Sequence, residues 1–82
     1  MLVPLQSDVI DSVSYNSDAR RLYVQLVGGN AYTYEGVPWQ VYRGLLEAGS
    51  HGAYYNRIVK RFEGRRVEDD GWGGTGGGGW FG

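Results

Sequence analysis

Arg21-Leu22-Tyr23-Val24-Gln25-Leu26-Val27, then Gly28-Gly29-Asn30, then Ala31-Tyr32-Thr33-Tyr34-Glu35, is the stretch on which the fold turns. Leu22, Val24 and Leu26 recur at every second position, the period of a strand with one face against a core. Gly28-Gly29-Asn30 tolerates positive φ and predicts a hairpin turn. The tyrosine-rich run after it predicts a second strand that stops at Gly36. Upstream, Val9 to Tyr15 is β-prone and closes on the turn cluster Asn16-Ser17-Asp18, which adds a third strand.

Tyr32 and Tyr34 share one face of their strand, and the length of the turn decides which face it is. A two-residue loop sets them opposite Gln25 and its neighbours on the outer side, as a platform where bases stack for about 1–3 kcal/mol each. A three-residue loop sets Tyr32 opposite Leu26 and Tyr34 opposite Val24, on the core side.

Beyond Gly36 the period changes. Pro38 suits a first helical position, and Trp39 to Ala48 has helical spacing, with Trp39, Tyr42 and Leu46 along one line and Val41 and Leu45 beside it. Gly49 is the expected C-cap. Ser50 can N-cap a second helix running to about Val59, with Tyr54, Tyr55, Ile58 and Val59 as its apolar contacts. The expected architecture is α+β: a three-stranded antiparallel β-meander followed by two α-helices packed on one face.

At 82 residues there is room for one domain and a modest core. The composition shifts near Val67, so the chain divides into a domain over residues 1–67 and a tail over 68–82. The tail opens with Glu68-Asp69-Asp70, and eight of its last twelve residues are Gly, a composition that predicts flexibility. Within it Trp72, Trp80 and Phe81 are candidate contacts to a protein partner, with the Trp80-Phe81 end docking in an apolar pocket.

The absence of cysteine excludes disulfides and thiolate metal sites and fits a reducing cytoplasm. No apolar run approaches the roughly 20 residues that span a bilayer, and the N-terminus lacks the basic region of a signal peptide, so a cytoplasmic protein without a membrane partner is expected. His51 is the sole histidine, read as a solvated residue at a helix start; no serine has a nucleophile-elbow context, and no glycine cluster forms a phosphate loop. Asp8 and Asp11, or Asp69 and Asp70, lack the spacing of a calcium loop. No enzyme, metal or cofactor is expected.

The net charge of −1 hides a division. All eight basic residues precede position 67, against six acids in that segment, and between Tyr54 and Arg66 the count is five basic to one acidic. On a helix Arg57, Lys60 and Arg61 form one cationic stripe beside tyrosines. Cations hold phosphates while aromatic rings stack bases, so the pattern suits single strands or nucleotides; a solvated helix face is the plainer alternative.

The run from Ser7 to Val67 resembles the KTSC domain, named for the C-terminal region of some lysyl-tRNA synthetases and found also as single-domain bacterial and phage proteins. The residues that carry this are Leu22-x-Val24-x-Leu26, Tyr32-x-Tyr34, Val37-Pro38, Val41-Tyr42, Leu45-Leu46, Ser50-x-Gly52-x-Tyr54-x-Asn56-Arg57 and Arg65-Arg66. The resemblance implies little about activity; through the synthetase association it suggests RNA as a partner and points to Tyr32, Tyr34, Asn56 and Arg57 as the positions to test. It does not reach the Gly-rich tail.

The expected function is therefore a binding module for RNA, single-stranded nucleic acid or a nucleotide, using Tyr32, Tyr34, Tyr54, Asn56, Arg57, Lys60 and Arg61. The alternatives are a protein-interaction module, acting through its aromatic surface or tail, and an oligomer that sequesters nucleotides between subunits. Two sheet edges and abundant aromatic residues favour a homodimer.

Overall fold

The computed structural model describes residues 2–67. Its sheet has five antiparallel strands rather than three, in the order β1-β2-β3-β4-β5: β1 Val3–Pro4, β2 Ile10–Asn16, β3 Arg21–Leu26, β4 Ala31–Glu35 and β5 Glu63–Arg66. The expected meander is its centre, and an edge strand is added on each side. β1 is two residues long and carries a proline, which an edge accepts because the missing amide hydrogen leaves no central ladder bond unmade. β5 is exposed throughout, so no apolar alternation announces it.

The β3–β4 loop is Val27-Gly28-Gly29. The Leu26 amide donates to the Asn30 carbonyl at 2.8 Å, and Gly29 adopts a φ of 102°. The three-residue geometry thus occurs one position earlier than Gly28–Asn30. Tyr32 consequently pairs with Val24 and Tyr34 with Leu22, each two residues from the expected partner. A shift of two preserves the face, so both tyrosines point to the core side.

Two α-helices and one 3₁₀ turn complete the described residues: α1 Trp39–Glu47, α2 His51–Arg57 and Val59–Arg61. Pro38 is the N-cap of α1 rather than its first residue (φ −72°, ψ 155°), since its extended ψ ends the preceding loop. α1 closes on Ala48, also extended, and not on Gly49. Leu45 is fully buried, whereas Trp39 is 50% exposed and does not join the core. Its indole shares the solvent side of α1 with Arg43, whose guanidinium lies 5.3 Å from the ring and pairs with Glu47.

Ser50 caps α2 as expected, accepting from the Ala53 amide at 3.2 Å. Gly52 lets this helix sit against the segment before β2, because a Cβ there would lie 3.0 Å from a Val9 methyl. α2 ends at Arg57, short of Val59. The tighter 3₁₀ turn brings Val59 fully into the core, and the chain can then run out along β4 as β5. The core is Ile10, Val13, Leu22, Val24, Tyr34, Val37, Leu45, Tyr55 and Val59, between the sheet and the helices. No helix among the described residues is long and apolar enough to cross a membrane.

Candidate functional site

The segment that leaves α2 and returns to the sheet edge carries most of the unpaired positive charge. Arg57 is the last residue of α2, Lys60 and Arg61 belong to the 3₁₀ turn, and Arg65 and Arg66 lie on β5. The expected single helical stripe is therefore divided: only Arg57 is helical, because the turn needed to bury Val59 interrupts the helix after it. All five side chains are exposed. Among the described residues the two ion pairs are Arg21–Glu35 and Arg43–Glu47, so none of these five has an acidic partner. Arg66 donates to the Asn30 side chain at 3.0 Å, and the Lys60 ammonium lies 6.0 Å from the centre of the Tyr55 ring.

The tyrosines fall into two groups. Tyr34 is 5% exposed and Tyr55 3%, and their hydroxyls lie 2.6 Å apart. Tyr34 is therefore a core residue and presents no stacking surface, correcting its place among the ligand-binding positions. Burial raises the Tyr34 phenol above its ordinary range, while the hydrogen bond to Tyr55 works against that shift. Tyr55 is raised further, first by burial and then by the same bond. Tyr32 and Tyr54 are half-buried. The Tyr32 ring is 6.4 Å from that of Tyr34 and faces Arg66 across the β4–β5 ladder. Tyr54 lies over Gly44 of α1, where any larger residue would overlap its ring, so it packs the two helices together.

Within Ser50-x-Gly52-x-Tyr54-x-Asn56-Arg57 the fold thus accounts for the first three residues. Ser50 caps, Gly52 clears Val9, and Tyr54 covers Gly44. Asn56 and Arg57 are exposed and make no side-chain hydrogen bond among the described residues.

Asn56 also lines a cleft of about 710 Å³ between α2 and the loop before β2, together with Gln6, Ser7, Asp8, Ser50 and His51. Sequence reasoning missed this cleft, since only the fold brings the Gln6–Asp8 loop to α2. His51 is more than a solvated surface residue: it is half-buried, and its Nδ1 lies 2.8 Å from the Leu45 carbonyl. A carbonyl only accepts, so the proton sits on Nδ1 and the ring bridges α1 to α2. Among the described residues no group of three or more His, Cys, Asp or Glu is placed to hold a metal ion. Trp72, Trp80, Phe81, Asp69 and Asp70 lie outside the described residues.

Fold and site together define a small α+β domain with a five-stranded meander, two short helices on one face and a cationic return segment. The KTSC domain family model matches residues 6–62. An uncharacterized protein of Stutzerimonas stutzeri is 40% identical over 58 residues, covering 71% of this chain and 82% of the relative. A protein of Tsukamurella paurometabola is 37% identical over 57 residues, covering 70% and 85%. The crystal structure of a KTSC domain protein from Yersinia pestis superposes with a TM-score of 0.78 at 30% identity, covering 83% of this chain and 97% of that one. The chain belongs to the KTSC domain family. The family match stops at Phe62, short of Arg65-Arg66.

Proposed function

We propose that this protein is a non-enzymatic binding module for RNA, other single-stranded nucleic acid or a nucleotide. One observation carries the reading: the Asn56, Arg57, Lys60 and Arg61 side chains are exposed, make no side-chain hydrogen bond or ion pair among the described residues, and follow one another along a single segment. Cations left without acidic neighbours are free for phosphate oxygens, and an amide beside a cleft can hydrogen-bond a base edge. Tyr32 and Tyr54 supply half-buried rings, and Tyr34 anchors the strand that carries Tyr32 in the core.

The test is fluorescence anisotropy with a labelled single-stranded RNA across a salt series. Three phosphate contacts predict that log affinity falls with log salt at a slope of about −2. Arg57→Ala/Arg61→Ala should abolish most of the binding. A titration flat at low salt, or one that the double substitution leaves unchanged, would refute the proposal.

A further inference from the structure

The free edge of β5 has a charge order that complements itself. The Val67 amide donates to the Ala31 carbonyl at 2.8 Å, and Arg65 pairs with Thr33 across the ladder. Backbone groups alternate sides along a strand, so residues 63, 65 and 67 turn their amides towards β4 while Gly64 and Arg66 turn theirs outward. Among the described residues those outward groups have no backbone partner. Glu63 and Arg65 share the face of the sheet away from the helices, and neither has an oppositely charged partner among the described residues. Glu63 in fact stands opposite another acid, Glu35.

From this we infer that the β5 edge pairs antiparallel with the β5 edge of a second copy of this chain, about a two-fold axis at Gly64. Backbone parity permits registers in which Gly64 or Arg66 meets Gly64 or Arg66. Gly64 opposite Gly64 sets Glu63 of each copy against Arg65 of the other, in the non-hydrogen-bonded positions where side chains approach closest. The two Gly64 residues exchange amide–carbonyl bonds, and each Arg66 amide reaches the Phe62 carbonyl of the second copy. The register that sets Gly64 opposite Arg66 instead brings Arg65 against Arg65 and is disfavoured. Charged edge strands commonly repel other strands; here the order acid, glycine, base makes the edge complementary to a second copy of itself. The result is a continuous ten-stranded sheet with all helices on one side. An edge contact this short is below the size of a permanent interface, so the dimer is concentration-dependent.

Sedimentation velocity on the full chain, from about 10 µM to about 1 mM at low salt, tests it over the range expected of a weak interface. The wild type should shift from monomer to dimer. Glu63→Arg sets arginine against arginine and Arg65→Glu sets glutamate against glutamate, so each variant alone should dimerise on the order of tenfold or more weakly. An equimolar mixture of the two restores opposite charges at both positions and should form a heterodimer, as should Glu63→Arg/Arg65→Glu with itself. Circular dichroism confirms that each variant is folded. A wild type monomeric throughout, reversals without effect, or a mixture that stays monomeric would each overturn the inference.

Discussion

The hydroxyl of Tyr34 on β4 lies 2.6 Å from the hydroxyl of Tyr55 on α2, with their rings edge to face at 80°. This contact ties the sheet to the second helix inside the core. It also explains why Tyr34, one of the two tyrosines of β4, presents no open ring face.

Removing half of the pair should cost more than removing both. Tyr55→Phe leaves the buried Tyr34 hydroxyl without its partner and should lower stability by about 1–3 kcal/mol. Tyr34→Phe/Tyr55→Phe should recover part of that loss, since no polar atom is then stranded. Urea denaturation of the two single variants and the double variant checks this; strictly additive losses would argue against a coupled pair.

The same burial sets an alkaline limit. The Tyr34, Tyr42 and Tyr55 phenols are all raised, chiefly by burial, above their ordinary value of 10.0. Below that pH both folded and unfolded states keep these protons, and the three phenols add no pH dependence to stability. Above it the unfolded chain releases them while the folded chain retains them, so the melting temperature should fall as pH rises past about 10. Tyr34→Phe/Tyr55→Phe should flatten that fall, read from thermal melts at successive pH values.

Gly64 is required by the Tyr34 ring, which lies across it from the neighbouring strand. Gly64→Ala should destabilise by about 1–3 kcal/mol through overpacking and speed amide exchange along β5. Gly28→Ala is the control: nothing lies within 4 Å of its Cβ position and its φ is not positive, so its effect should be small. Hydrogen exchange and chemical denaturation separate the two.

Arg57→Ala/Arg61→Ala should leave the melting temperature nearly unchanged, within about 0.5 kcal/mol in stability, because neither side chain has an acidic partner among the described residues. Differential scanning fluorimetry decides it. A large drop would make these cations structural and separate any binding loss from ligand contact.

The hairpin was legible because Leu22, Val24 and Leu26 alternate and Gly28-Gly29 marks the turn. The N-cap at Ser50 was legible for the same local reason. Glu63–Arg66 was not: all four residues are exposed, and the strand exists because β4 offers an open ladder and Gly64 clears the Tyr34 ring. Trp39 misled in the other direction, fitting the helical period while lying on the solvent side with Arg43. In the candidate site, the cationic residues were plain from composition, but Asp8, His51 and Asn56 meet only through folding.

By itself the sequence determined the α+β class, the central meander, the helix start at Ser50 and the charge carried by the return segment. These follow from periods, caps and turns that span a few residues. Tertiary structure alone decided the two edge strands, the burial of Tyr34 and the interruption after Arg57. Each depends on which distant surface is available: an open strand edge, the Tyr55 hydroxyl, or the cavity that Val59 fills.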